Sequence, residues 1–349
     1  MAALPPHPRL AQWWQRGCAF LGADAAIMGG AMTWVSERRL VAAVSEAGAF
    51  GVIACGAMTP DLLQAEIRAT QALTRRPFGV NLIVMHPALA QLVEVCIAER
   101  VGHVVLAGGL PPRGVVPRLK EGGAKVLCFA PSLAVGRKLV RGGADALIIE
   151  GTEAGGHIGP VSTSVLAQEI LPHIGDVPVF VAGGIGTGEA IAAYLRMGAA
   201  GVQVGTLLVC ASESIAHAKF KEAFIRAGAR DAVPSVQIDP AFKVIPVRAL
   251  ANAATQRFAE LQAEVIARFR RGETSFEEAS LAIEHFWAGA LRRAVVDGDV
   301  EQGSLMAGQS VGLVKAVRPA AEIVGELVAE AETALARERA GPQPAAAAE

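Results

Sequence analysis

No surplus of charge marks this chain. Its 32 Lys and Arg stand against 33 Asp and Glu, so it lacks the basic footprint that nucleic acid or an anionic membrane requires. Cysteine is sparse and scattered. The five residues Cys18, Cys55, Cys96, Cys128 and Cys210 form no Cys-x-x-Cys pair and no metal-ligand spacing. An odd, dispersed set fits a reducing compartment. Cys55, Cys96, Cys128 and Cys210 sit in apolar runs, where a thiol packs as a small hydrophobe. No apolar stretch is long enough to span a bilayer. The proline-bearing N-terminus has no long apolar core before a cleavage site, so no secretory signal is read there. These absences make the cytoplasm the default location and a small molecule the default partner. Nucleic acid and membrane are not expected.

What is present is apolar: 52% of the 349 residues, enough for a large core. From residue 25 to about 206 one theme repeats. A short apolar run ends in Gly, Asn or a small polar residue, and a segment with helical spacing follows. Such alternation implies parallel strands joined by crossover helices. Eight strands are expected, at 25–30, 50–56, 78–84, 103–108, 125–130, 146–151, 177–184 and 201–206. Helices are expected at 36–47, 60–73, 87–99, 132–141, 162–173 and 189–197. Ser36 and Ser132 are placed as N-caps, and Gly48, Gly142 and Gly198 as stops. Eight units in one series point to an α/β fold, a (β/α)8 TIM barrel with an added helical cap subdomain; a doubly wound sheet is the alternative. The divisions expected are an N-terminal segment at 1–24, the barrel core at 25–211 and a mostly helical cap or lid at 212–300. A return loop with a closing helix at 301–338 and a disordered tail at 339–349 complete the chain.

Barrels carry function on the loops after the strand C-termini, and here those loops are rich in glycine and polar residues. Gly29-Gly30-Ala31-Met32 follows the first strand, where paired glycines let a flat ligand approach the backbone. Asn81 ends the third and offers both a donor and an acceptor. The most distinctive run is Glu150-Gly151-Thr152-Glu153-Ala154-Gly155-Gly156-His157-Ile158-Gly159. Its imidazole, flanked by glycines, titrates near neutrality and suits proton transfer. Ala182-Gly183-Gly184 and Gln203-Val204-Gly205-Thr206 follow strands seven and eight, the common phosphate position of barrels, read through backbone N–H groups and a helix N-terminus. Gly303-Ser304-Leu305-Met306-Ala307-Gly308-Gln309 reads as a late loop returning to a ligand. Among the other histidines only His86, after strand three, stands near the mouth. No metal site is expected.

Together these runs resemble the nitronate monooxygenase family (2-nitropropane dioxygenases) and its relatives, the flavin-dependent enoyl-ACP reductases. The resemblance extends from about residue 25 to 313. It implies FMN bound without a covalent link at the barrel mouth. Gly183, Gly184, Gly205 and Thr206 would hold the phosphate, and Gly30, Met32 and Asn81 would flank the isoalloxazine. Glu150 and Gly155 would line the flavin-side loop, Met306 and Gln309 would close over it, and His157 matches the family's active-site histidine. Gly29, Gly156, Ala182 and Gln203 belong to the same loops. One departure is that Gly29-Gly30-Ala31-Met32 is a residue longer than the Gly-Gly-Met of many members, which leaves the placement of Met32 open.

The resemblance leaves three flavin reactions open. They are oxidation of alkyl nitronates with oxygen, reduction of an enoyl thioester with NADH or NADPH as electron donor, and reduction of a quinone. Nitronate oxidation is placed first by a small margin, because it needs only flavin and base. No Gly-x-Gly-x-x-Gly nucleotide fingerprint follows a first strand, but these relatives bind the nucleotide without one. Acyl carrier protein and a second copy of the chain stay open as partners. Outside the class stand a non-flavin barrel enzyme for a phosphorylated metabolite and a non-catalytic flavin-binding protein.

Overall fold

The computed structural model describes residues 4–242, 246–287 and 289–337. Eight parallel strands form its centre: β1 (Ile27–Gly29), β2 (Gly51–Ala54), β3 (Phe78–Ile83), β4 (His103–Ala107), β5 (Lys125–Phe129), β6 (Ala146–Glu150), β8 (Val179–Ala182) and β9 (Gly201–Val204). β7 (Gly156–His157) lies outside this set. Neighbours run β1-β9-β8-β6-β5-β4-β3-β2. A parallel bridge between Met28 and Phe50 joins the two ends, with Gly29 N donating to Phe50 O at 2.8 Å and Phe50 N to Ile27 O at 2.9 Å. The sheet is therefore a closed barrel, as the eightfold repeat implied. Its strands are continuously apolar because helices cover one face and barrel-interior side chains the other.

The helices fall near their expected positions, with instructive exceptions. The helix Pro60–Leu73 matches, capped by Thr59. Ser132 caps Leu133–Arg141 as expected. Ser36 does not cap its helix: Arg38–Glu46 is capped by the Glu37 carboxylate, because the Ser36 hydroxyl is engaged by the β1 loop. Gly142 ends Leu133–Arg141 as its C-cap, as expected, and the next residue, Gly143, takes the left-handed conformation at φ +96°. A short helix, Val115–Glu121, lies between β4 and β5 where none was expected.

The flanks add detail to the expected divisions. Residues 1–24 carry the helices Pro8–Trp13 and Gln15–Leu21. The second closes the barrel floor. Phe20 O accepts from His103 Nε2 at 2.8 Å and Lys125 Nζ at 2.5 Å, at the first residues of β4 and β5. A Cβ on Gly17 would strike Ala200 O, just before β9. Within the segment 212–300 the described residues form four α-helices and a 3-10 turn, together with β10 (Ala232–Pro234) and β11 (Val247–Leu250). Phe242, Phe258, Val265, Ile266, Ala279 and Ile283 give it a small core of its own. The last helix, Ala320–Arg337, returns to pack against Gly188–Arg196. The tail at 339–349 lies outside the described residues.

Candidate active site

The C-terminal ends of the strands bring the expected residues to one mouth. β6 ends at Glu150, and the loop after it makes a tight pass through Gly151, where a Cβ would fall 2.0 Å from Thr163 Oγ1. Thr163 is the pin of this loop. Its N–H and hydroxyl both donate to Glu153 Oε2 at 2.9 Å, so the Glu153 carboxylate satisfies the first turn of the helix Thr163–Ile170. The backbone of Glu153 is used as well, its carbonyl accepting from Gln309 N at 2.9 Å.

The loop then becomes a strand. Gly156 and His157, forming β7, pair antiparallel with Arg248 and Val247 of β11. Arg248 is only 6% exposed, yet among the described residues no carboxylate hydrogen-bonds it. Its Nε donates to Thr152 O at 2.8 Å and its Nη1 to Ala232 O at 2.5 Å. Burial lowers its pKa, and the nearby Glu153 charge opposes that shift. One side chain thus ties the histidine loop to β10. The His157 ring itself is exposed and has no hydrogen-bond partner among the described residues. The protein mass around it holds its pKa below the ordinary value, so the imidazole is neutral at pH 7 with both nitrogens available to a ligand.

Glu150 is the other titratable group at this mouth. It also has no hydrogen-bond or ionic partner among the described residues, and burial pushes its carboxyl up to about 8. Asn81 is buried; its Nδ2 donates to Val105 O at 3.3 Å, and among the described residues nothing donates to its Oδ1. Half of that amide serves the backbone and half is open.

The glycine loops show what the mouth can hold. Gly183 and Gly184 take φ +94° and +72°. A Cβ there would sit 2.9 Å from Thr163 Oγ1 and 3.0 Å from Glu153 Cβ. Among the described residues no acceptor meets the N–H groups of Gly183, Gly184, Gly205 or Thr206. Native folds leave few backbone donors unpaired away from water, and a cluster of them converging on one site is an anion cradle. The N-terminus of the helix Gly188–Arg196 does not belong to that cradle. Its Gly188 N already donates to Glu330 Oε2 at 2.7 Å, and Thr187 caps it. Thr206 Oγ1 accepts from Gly308 N at 3.0 Å, which leaves its own proton to donate. The donors fit a phosphate, and the open glycine surface beside them fits a flat ring.

The remaining expected residues sort by position. Gly30 approaches Gly205 and Gln203: a Cβ on it would lie 3.4 Å from Gly205 Cα and 3.8 Å from Gln203 Cγ. Met32 Sδ is 3.6 Å from the corresponding point on Gly205, so the extra residue does not remove Met32 from this group. Gly29 faces the helical layer, toward Val44 and Leu208, and Ala182 is buried and offers only backbone. Met306 bridges to Ala249 and its Sδ lies 3.6 Å from the Cβ point of Gly156. Gly155 meets Ala307 and Gly308 too closely for any side chain. The late loop therefore does return to the site. His86 only accepts from Ala88 N, and His103 is a neutral floor residue, lowered to about 4 by burial. A cavity of about 350 Å³ lies between the helices Ala253–Arg270 and Phe276–His285, away from this mouth. Sequence reasoning missed Ser36, Thr163 and Arg248 as positioning groups. Only Arg248 left a signal, as a lone charge inside the apolar run Val247–Leu250.

Among the described residues no helix is long and apolar enough to cross a membrane, and no three His, Cys, Asp or Glu cluster as a metal site.

A closed barrel with an anion cradle after β8 and β9, and a neutral imidazole at the mouth, fits the flavin-dependent barrel oxidoreductases. Comparison with known proteins agrees. The family described as "Nitronate monooxygenase" matches residues 17–94 and 89–330, and this chain belongs to it. FabK from Thermotoga maritima is 38% identical, covers 93% of this chain and 98% of its own, and superposes with a TM-score of 0.84. A (3aS,4S,5R,7aS)-5-hydroxy-7a-methyl-1-oxo-octahydro-1H-indene-4-carboxyl-CoA dehydrogenase of Mycobacterium tuberculosis is 32% identical over 90% of this chain and 95% of that protein. A nitronate monooxygenase of Paraburkholderia phytofirmans is 29% identical over 89% and 93%.

Proposed function

We propose that this protein is an FMN-dependent oxidoreductase of acyl thioesters, reducing an enoyl thioester at the expense of NADH or NADPH. The observation that carries the reading is His157, an exposed, unpartnered and neutral imidazole fixed at the mouth by β-pairing. A neutral imidazole N–H is suited to a carbonyl oxygen on which negative charge develops, as a thioester gains enolate character. Two relatives favour this substrate class. FabK is an enoyl-ACP reductase, and the mycobacterial relative is a CoA-ester dehydrogenase.

FMN, when bound, supplies two-electron transfer between the nicotinamide and the β-carbon of the thioester. The chain supplies the rest. N–H groups of Gly183, Gly184, Gly205 and Thr206, with the Thr206 hydroxyl, would hold the phosphate. Gly30, Met32, Asn81, Gln203 and Glu150 would line the ring side of the mouth. Gly155, Met306 and Gln309 would close it. His157 would hydrogen-bond the thioester carbonyl through its N–H, and the α-carbon would take its proton from solvent.

A second reading, oxidation of alkyl nitronates, is favoured by the family match and by the Paraburkholderia relative. There His157 would position the anionic nitronate. The two readings part in one assay. With NADH or NADPH the wild type is expected to reduce crotonyl-CoA, and His157→Ala to keep its yellow flavin yet lose turnover by about a hundredfold or more. Full activity in that variant removes His157 from the mechanism.

A further inference from the structure

The β1 loop carries a residue in a conformation it has no intrinsic reason to adopt. Met32 O accepts from Val35 N at 2.9 Å and from Ser36 N at 2.8 Å, so residues 32–35 form a tight turn. Trp34 is its third residue, at φ +68°. That position belongs to Gly or Asn, and a bulky side chain there is strained. The only other non-glycine at positive φ among the described residues is Arg100, just past the end of a helix. Strain persists where the surroundings over-determine it. Here Met32 N donates to Ser36 Oγ at 3.0 Å and Ser36 Oγ to Gly30 O at 2.8 Å, which fastens the turn to the glycine loop.

Packing does not account for the whole indole, because Trp34 is 37% exposed. It stands two residues from Met32, itself against Gly205. The neighbouring loops continue the surface. A Cβ on Gly56 would meet Thr33 and Ile83, and one on Gly108 would meet Ile83, so the loops after β1 to β4 abut in order. On them Met85 is 67% and Leu110 46% exposed. Apolar groups left open around one edge of a ligand mouth mark contact with a ligand's apolar part. The guanidinium of Arg292 stands 5.8 Å from the Trp34 ring centroid, so a latch between the indole and the segment after β9 is the competing role.

We propose that Trp34 is a specificity-determining residue whose strained turn presents the indole as the wall for the substrate's apolar chain, selecting long acyl groups over short ones. This rests on the thioester reading for the head group, though the wall itself acts on the chain.

The test is calorimetric binding to the flavin-loaded protein of dodecanoyl-CoA, butyryl-CoA, dodecyl nitronate and ethyl nitronate. Wild type, Trp34→Gly, Trp34→Phe and Arg292→Met are compared, with melting temperature as a second readout. Wild type is expected to bind a long probe at least about tenfold more tightly than its short partner. Trp34→Gly should bring that ratio close to one and melt no earlier than wild type, since glycine relieves the turn. Trp34→Phe and Arg292→Met should keep the ratio. If only nitronates bind, the thioester reading fails and the nitronate ratio decides the wall. Equal binding of long and short probes by wild type, no binding of either long probe, or an unchanged ratio in Trp34→Gly overturns the inference. Earlier melting of Trp34→Gly marks the indole as packing, and loss of the ratio in Arg292→Met marks it as a latch; either result also overturns it.

Discussion

Glu150 shows at the residue scale how burial without a partner leaves a measurable trace. Its carboxyl is raised to about 8, far above that of an unfolded chain. The folded state therefore holds a proton that the unfolded state has released between about pH 4.5 and 8. Across that window stability falls as pH rises, and the loss is complete above the folded value. Glu150→Gln should remove it. Thermal unfolding of the variant is expected to match wild type near pH 5 and to occur at higher temperature near pH 8. Equal melting of the two proteins at pH 8 would mean that the carboxyl is solvated or paired. His157 behaves oppositely in sign, since the protein mass around it favours the neutral form, and its catalytic use does not depend on a proton at neutral pH. The cysteines carry no such chemistry. Burial pushes the Cys55 and Cys128 thiols up to about 12, which keeps them unreactive.

At the scale of elements, the glycine cradle after β8 gives a sharp prediction. Gly184 sits at φ +72° with Glu153 Cβ 3.0 Å from where its own Cβ would lie. Gly184→Val would place a β-branched residue in the left-handed region and push on the carboxylate that pins Thr163. The variant is expected to purify without bound flavin and with a lowered melting temperature. Normal flavin occupancy, read from the visible spectrum, would remove Gly184 from the phosphate site.

The same scale shows what was legible in the sequence. The eight strands were, because each is a short apolar run ended by glycine or a polar residue, and period and punctuation are local. The gathering of Gly30, Gly205, Thr206 and Gly308 was legible in type, because barrels put those loops at one end. β10 and β11 were not. Ala232–Pro234 is short, and Val247–Leu250 is recognisable as a strand only once it pairs with Gly156 and His157. Ser36 was misassigned because a serine before a helix has two backbone groups within reach, and tertiary geometry decided for Gly30. Arg248 was passed over because its partners, Thr152 O and Ala232 O, are main-chain carbonyls distant in sequence, which no motif encodes.

At the scale of the whole molecule, the chain is a barrel closed at both ends by added segments. The helix Gln15–Leu21 seals the floor through Phe20 and Gly17, while β10 and β11 reach the opposite end and pair with the histidine strand. Placing the His157 imidazole under a strand from outside the barrel couples the site to the segment after β9. It also leaves the floor free to serve stability alone. The central claim is that this architecture serves reduction of an acyl thioester. Its most direct test is anaerobic flavin spectroscopy of the purified protein, with NADH, NADPH and propyl nitronate added in turn. The account predicts fast bleaching by a nicotinamide and recovery of the yellow colour on addition of crotonyl-CoA. Bleaching by propyl nitronate with no response to either nicotinamide would contradict it and establish nitronate oxidation instead.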